Sequence, residues 1–262
     1  MTKTVKDQMN QEVTWPVSPK RIVSLVPSQT ELLFALGLRE EIVGVTNYCI
    51  HPAEETKHKT KVGGTKNFDV EVIKRLNPDL IIGNKEENEE KGINTLKKSF
   101  PVWMSDIFNL EDAVDMILRI GVLVGKESES ESIVLNIQRG FSALPTTKLP
   151  PKKVAYFIWR KPYMVAASGT FIDDMLKRAG FQNVFGSLSR YPEISAEQLR
   201  EAQPDYIFLS SEPYPFKEKH LQEFQNICPD AAILVVDGEL FSWYGSRLPA
   251  SAAYFSKLGQ LG

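Results

Sequence analysis

Val70-Glu-Val-Ile-Lys-Arg-Leu-Asn-Pro-Asp-Leu-Ile-Ile-Gly-Asn84 returns later in the chain as Ala196-Glu-Gln-Leu-Arg-Glu-Ala-Gln-Pro-Asp-Tyr-Ile-Phe-Leu-Ser210, without a gap. Each copy sets a glutamate, Glu71 or Glu197, seven residues ahead of Pro-Asp. Each reads as a short helix, a break at proline and an apolar strand, because proline cannot continue a helix and the run after it is rich in strand-forming residues. A single short echo could arise by chance, and the flanks decide whether the architecture is duplicated.

The order of elements around the two copies repeats as well. Each half opens with an apolar strand, Arg21–Val26 and Val154–Trp159, followed by a helix reading from Thr30 to Gly37 and from Thr170 to Gly180. Threonine can cap such a helix at its start and glycine at its end. A short strand comes next, at Ile42–Val45 and at Val184–Phe185, before the repeated helix and strand. Both halves close with a helix and a strand, Ile93–Ser99 with Val102–Met104 and His220–Ile227 with Ile233–Val236. Strands that alternate with helices pair in parallel, since each parallel neighbour is reached through a crossover. The expected fold is α/β, with two doubly wound parallel-sheet lobes.

Between the halves, Ala113, Met116, Ile117, Ile120 and Val124, then Ile133, Ile137 and Phe141, recur at helical spacing. Gly125-Lys126 divides this stretch into two helices, and the second, near 127–143, is roughly 25 Å long at the α-helical rise. The expected organisation is an N-terminal lobe over 1–109, a helical connector over 110–150 with a long backbone helix, and a C-terminal lobe over 151–262. The ligand cleft is expected between the lobes.

Composition narrows the function classes. The 262 residues carry 31 basic and 33 acidic side chains, a formal charge of −2, with 42% hydrophobic residues. That balance supplies no global field for nucleic acid or an anionic membrane surface. Cys49 and Cys228 are the only cysteines and are far apart in sequence, which makes neither a disulfide framework nor a zinc knuckle. The opening twenty residues carry charged and polar residues throughout and lack the apolar core of an export signal.

Ligands of open parallel sheets sit beyond the carboxyl ends of the strands. In this chain those loops are rich in aromatic and basic residues: Tyr48 in the first half, then Trp159, Tyr163, Tyr191, Trp243, Tyr244 and Arg247 in the second. Aromatic faces with a guanidinium suit a bulky or planar ligand bearing acidic groups. The alternative for any one of these aromatics is a partial core residue.

The stretches Arg21-Ile-Val-Ser-Leu-Val-Pro-Ser-Gln-Thr-Glu-Leu-Leu-Phe-Ala-Leu-Gly37, Pro78-Asp-Leu-Ile-Ile82 and Tyr191-Pro-Glu-Ile-Ser-Ala-Glu-Gln-Leu199 together resemble the periplasmic binding proteins of cobalamin and ferric-siderophore importers, the helical-backbone metal receptor superfamily. The resemblance runs from Lys20 to the C-terminus. It implies a monomeric, non-enzymatic substrate-binding protein that hands a metal chelate to an ABC permease in the membrane, with the chelate as cargo and no cofactor. It implies a periplasmic or cell-envelope location, whereas the opening residues taken alone read as cytoplasmic. It also implies that Glu71 and Glu197 dock on the permease, one from each lobe; the alternative is that both are solvated helix residues. Tyr48, Tyr163, Tyr191, Trp243 and Arg247 resemble cleft positions of the cobalamin branch. Thr65 and Asn84 stand where that branch has tryptophans, and the loop from Trp243 to Arg247 is one residue longer. Corrin, haem and other metal chelates all remain open as ligands.

A different class of function, a cytoplasmic enzyme or metallochaperone, rests on Tyr48, Cys49 and His51. His51 reads either as a loop histidine before Pro52 or as an axial ligand to a chelated metal. Glu86, Glu87, Glu89 and Glu90 read as an exposed first helical turn; facing the ligand, they would ask for a cationic or metal-coordinating part. Gly121 to Lys126 resembles a phosphate loop but is one residue short, and Glu127 replaces the needed hydroxyl residue.

Overall fold

The computed structural model describes residues 2–145 and 150–259. The chain divides into two compact units. One comprises Met1–Ile107, Glu111–Asn136 and Tyr244–Arg247; the other comprises Phe108–Leu110, Ile137–Trp243 and Leu248–Gly262.

The first unit begins with an antiparallel hairpin of β1 (Thr2–Lys6) and β2 (Glu12–Pro16). Then follow β3 (Ile22–Ser24), α1 (Pro27–Ala35), β4 (Ile42–Val45), α2 (Ala53–Thr56), β5 (Thr60–Lys61), α3 (Val70–Leu76), β6 (Leu80–Asn84), α4 (Glu90–Leu96), β7 (Val102–Ser105) and α5 (Leu110–Val124). Helix α6 (Glu127–Ser142) passes from the first unit to the second at Asn136 and Ile137. The five strands after the hairpin form one parallel sheet in the order β5-β4-β3-β6-β7. All five residues of β6 are buried, as expected of a strand covered on both faces. Val23, Leu25, Ile73, Ile81 and Ile93 form the core on one side.

The hairpin is a feature that the sequence reading passed over. Val13 and Trp15 are buried while Glu12 and Thr14 are exposed, the alternation of a half-buried strand. Trp15 donates its indole N–H to the carbonyl of Leu123 at 2.9 Å, tying the hairpin to α5. At the turn, Gln8 N donates to Met104 O at 3.1 Å, which occupies part of the open edge of β7.

The second unit contains β8 (Lys152–Trp159), β9 (Met164–Val165), α7 (Phe171–Arg178), β10 (Phe181–Asn183), α8 (Ala196–Ala202), β11 (Tyr206–Ser210), a 3-10 turn at Glu218–His220, α9 (Leu221–Ile227), β12 (Ala232–Val236), α10 (Glu239–Ser242) and α11 (Leu248–Leu258). Its parallel order is β10-β8-β11-β12, with β9 antiparallel to β8. The architecture is the expected α/β pair of parallel sheets.

The repeat has a local physical cause. Helices α3 and α8 are capped at their start by Asp69 and Ser195, and both end on a left-handed residue, Asn77 (φ 44°) and Gln203 (φ 44°). The proline that follows stops the helix. The aspartate after it then grips the start of a central strand of its own parallel sheet, β3 or β8. Asp79 N donates to Arg21 O at 2.9 Å, while its carboxylate accepts from Lys20 N and Arg21 N at 2.8 and 2.9 Å. Asp205 N donates to Lys153 O at 2.9 Å, and its carboxylate accepts from Lys153 N at 2.7 Å. Pro-Asp is therefore a register pin that sets the central strand pair in each unit.

Some boundaries differ from expectation. Helix α1 starts at Pro27 rather than Thr30, because Pro occupies the first helical position and Val26 is the N-cap. Thr30 lies inside the helix and donates its hydroxyl to Val26 O and Ser24 Oγ. In the second unit the short strand is Phe181–Asn183, not Val184–Phe185. Asn183 ends it by accepting from Phe185 N on its side-chain oxygen, which turns the chain. Gly125, at φ 68°, ends α5 as expected, with Lys126 N donating to Gly121 O at 2.7 Å.

Candidate functional site: loops at the carboxyl ends of the two sheets

In the first unit the loop after β4 presents Tyr48, 62% exposed, on a fixed base. Asn47 N donates to Gly63 O at 2.8 Å. Lys61 Nζ reaches the carbonyls of Cys49 and Thr46 at 3.2 and 3.4 Å. Cys49 itself is fully buried, its Sγ 3.1 Å from the hydroxyls of both Thr30 and Thr46. Burial pushes the thiol up from its usual range against the pull of those hydroxyls. A nucleophile needs thiolate character and access. Cys49 has neither, so the enzyme reading built on Tyr48, Cys49 and His51 is not favoured. His51 is half-buried, and among the described residues no three His, Cys, Asp or Glu side chains gather as a metal-holding group.

Asn84 is a strut rather than a wall. It is 1% exposed, donates to Ser105 Oγ at 2.9 Å and accepts from the backbone of Glu86 and Glu87 at 2.8 and 3.0 Å. Asn88 braces the same loop by donating to Leu25 O and Thr65 O, and Thr65 is half-buried. Of the acidic run, Glu89 caps α4 by accepting from Gly92 N at 2.7 Å and Glu90 lies in its first turn, the expected first-turn placement. Glu86 and Glu87 sit half-buried in the preceding turn. Lys85 pairs with Asp106 at 2.6 Å.

Arg247 belongs to this unit, where it holds Glu31 of α1 in a two-pronged pair: Nη2 to Oε1 at 2.7 Å and Nε to Oε2 at 3.0 Å. The two side chains are 18% and 21% exposed. Gly245 permits this approach, since a Cβ there would lie 3.1 Å from Ser28 O. Tyr244 is buried.

In the second unit Trp159 ends β8, 39% exposed, with its ring edge-on to Tyr214 at 5.5 Å. Glu223 of α9 organises what lies beside them. Its Oε2 accepts from Arg160 Nε at 2.8 Å and pairs with Nη2 at 2.7 Å, while Oε1 accepts from Tyr163 at 2.6 Å. Burial opposes the charge on Glu223, but these two donors hold its carboxyl below the ordinary value. Tyr163 is pushed up to about 12 by burial and by that carboxylate, and its ring packs on Phe157 and Phe224. It is thus a half-buried support rather than an open face. Tyr191 is half-buried, with the Arg190 guanidinium 5.6 Å from its ring centre and from that of Phe108.

Trp243 is 7% exposed and donates its indole N–H to Glu212 Oε1 at 2.9 Å, beside Ser242 Oγ at 2.7 Å on the same oxygen. Burial, with Glu239 and Asp237 nearby, pushes the Glu212 carboxyl up from its ordinary value despite these donors. The open aromatic faces at strand ends are thus Tyr48 in the first unit and Trp159 in the second, with Phe108, in the loop after β7, 38% exposed as well. Trp243, Tyr244 and Arg247 are largely covered. The sequence reading assigned no role to Glu31, Arg160, Glu212, Tyr214 and Glu223; only Arg160, Glu212 and Tyr214 left a trace, as members of the strand-end loops Trp159–Tyr163 and Glu212–Phe216.

Glu71 and Glu197 occupy the same position, second residue of α3 and of α8, and both are exposed. Glu71 pairs with Lys74 at 2.8 Å, and backbone and Ser195 hydrogen bonds lower the Glu197 carboxyl. Among the described residues no helix is long and apolar enough to cross a membrane.

A vitamin B12-binding protein of Vibrio parahaemolyticus is 28% identical over 195 residues, covering 73% of this chain and 70% of its own. An uncharacterized ABC transporter substrate-binding lipoprotein of Bacillus subtilis is 28% identical over 214 residues, 78% of this chain and 68% of its own. The solved periplasmic heme-binding protein RhuT of Roseiflexus sp. RS-1 superposes with a TM-score of 0.79 at 23% identity, over 94% of this chain and 100% of that one, which shows the shared fold. The family model described as periplasmic binding protein matches residues 22–226, a span running from β3 into α9 and holding both copies of the Pro-Asp pin, and the chain belongs to that family.

Proposed function

We propose that this chain is the ligand-binding component of an ABC importer. It captures a bulky metal chelate, a corrinoid, a haem or a ferric siderophore, and passes it unchanged to a membrane permease. The observation that carries this reading is the pair of open aromatic faces, Tyr48 at 62% and Trp159 at 39% exposure, each at the carboxyl end of a parallel sheet in a member of this family. Exposed aromatics on rigid strand ends give area for a ring or chelate at small entropic cost. Tyr163, Tyr191, Trp243, Tyr244 and Arg247 support those faces and shape what surrounds them. The relatives named for vitamin B12 and for ABC transport support the ligand class and the partner.

In this reading the chain acts as a monomer in the cell envelope, with lobes at 1–109 and 151–262 and a helical connector at 110–150. Glu71 and Glu197 face the permease, one from each lobe. The chelate brings its own metal, so the chain performs no catalysis on it.

Native mass spectrometry and tryptophan quenching against cyanocobalamin, cobinamide, haem and ferrichrome test the reading. At least one probe is expected to bind, and Trp159→Ala and Tyr48→Ala are expected to weaken it. Glu71→Ala with Glu197→Ala is expected to spare binding and impair transport. Failure of all four probes to bind would sink the proposal.

A further inference from the structure

The arginines at the strand ends suggested a ligand with acidic groups, but the structure pairs two of them, Arg247 and Arg160, with carboxylates of its own. In the first unit, Arg247 is gripped on two nitrogens by Glu31, at 2.7 and 3.0 Å, with both side chains about four-fifths covered. In the second, Arg160 is held by Glu223 at 2.7 and 2.8 Å, and Lys161 lies in the field of the same carboxylate. Arg190 Nη1 donates to Gly169 O at 2.5 Å, and its guanidinium lies near two rings. Lys85 is paired with Asp106.

Further carboxylates lie among these cations. Glu212 is a half-buried acid at the end of β11 whose partners are a hydroxyl and an indole N–H, and Asp237 and Glu239 lie beside it. A ligand carboxylate could engage Arg247 or Arg160 only by displacing Glu31 or Glu223, leaving a partly buried acid uncompensated, a costly exchange. Each of these ion pairs, Arg247 with Glu31, Arg160 with Glu223 and Lys85 with Asp106, is closed within one unit, so the result does not depend on how the two are arranged.

Resting on the chelate-binding reading above, we infer that the ligand carries no net negative charge: the site is built for a neutral or cationic metal chelate and discriminates against polyanionic ones. Neutral amide-rich or hydroxamate chelates meet this requirement. Dicarboxylate porphyrins and ferric catecholates do not.

The test is a panel of probes of known charge, titrated against the intact protein by tryptophan quenching at low and high salt. Ferrioxamine B is cationic, ferrichrome and cyanocobalamin are neutral, haem carries two carboxylates and ferric enterobactin is a trianion. The tightest neutral or cationic probe is expected to bind at least about tenfold more tightly than haem or ferric enterobactin, with the gap narrowing as salt screens charge. Glu31→Gln and Glu223→Gln each release one guanidinium, and either is expected to raise affinity for ferric enterobactin by about tenfold relative to the best neutral probe. Haem or ferric enterobactin binding wild type as tightly as any other probe would overturn the charge inference while leaving the importer reading intact. Binding by none of the probes would defeat both. The wild-type panel decides the matter even if a variant fails to fold.

Discussion

The two Pro-Asp pins look identical in sequence but differ in hydrogen bonding, which makes them a discriminating pair for mutation. Asp79 uses both carboxylate oxygens, Oδ1 for Arg21 N and Oδ2 for Lys20 N. Asp205 uses only Oδ2, for Lys153 N. A hydrogen bond to a charged acceptor contributes about 1.5–3 kcal/mol when shielded and nearer 1 when water can replace it, as at these exposed strand starts. Asp79→Ala should therefore cost about 2 kcal/mol, and Asp205→Ala about 1 kcal/mol. The asparagine variants separate the cases further. At 205 one amide oxygen can still face Lys153 N, so Asp205→Asn should cost no more than about 0.5 kcal/mol. At 79 the amide must aim its NH2 at one of two backbone N–H groups, and Asp79→Asn should cost about 1–2 kcal/mol. Urea titrations followed by circular dichroism, with slopes compared to exclude a change in the unfolded state, measure all four values. Equal costs for the two asparagine variants would refute the difference drawn between a two-bond and a one-bond pin, the more so because Asp79 is half-buried and Asp205 exposed.

Cys49 should resist a thiol reagent such as DTNB in the native protein and react only in denaturant, because burial keeps it protonated and covered; rapid native modification would contradict its placement. Tyr163 has a folded-state value of about 12 against an ordinary 10, so the stability it contributes is present below the unfolded value and is lost as pH rises through the folded one. Stability should accordingly fall across that alkaline window, and Tyr163→Phe should flatten part of the fall in pH-dependent urea midpoints. Glu212 is likewise raised, so ionising it destabilises the fold as pH climbs through its folded value. Glu212→Gln keeps an acceptor for Ser242 and Trp243 while removing the charge, and is expected to raise thermal stability at neutral pH with the Trp243 emission unchanged. Gly44→Ala would place a methyl 2.6 Å from Leu76 Cδ1 and near Val62 and Val23, costing about 1–3 kcal/mol in a urea titration.

The fold was legible because its signals are local. A helix, a left-handed stop, proline, aspartate and an apolar strand occupy fifteen consecutive residues in each copy, and each step follows from backbone preference or capping. The same locality explains the misses. Val13-Thr14-Trp15 alternates over too few residues to outweigh the polar character of the opening stretch, and its partner strand Thr2–Lys6 has only Val5 as a large apolar residue. The strand at Phe181–Asn183 was displaced because Val184 and Phe185 look more strand-like, whereas Asn183 ends the strand through its own side-chain oxygen.

The placement of the aromatic loops was legible in the sequence, but not their charge. Strand-end loops follow from topology, and the open faces of Tyr48 and Trp159 lie in them. Whether an arginine there is available to a ligand depends on partners remote in sequence. Arg247 is neutralised by Glu31, 216 residues away, and Arg160 by Glu223, 63 residues away. Glu31 lies in the Arg21–Gly37 stretch, but nothing there marks it as a partner of Arg247, and Glu223 sits in none of the quoted stretches. Glu31 reads as an ordinary residue of a helix and Glu223 as one of several polar residues on α9. A loop that reads as basic and aromatic can therefore fold into one that is aromatic and electrically balanced. This is why the residue types pointed toward an acidic ligand and the pairing points away from it.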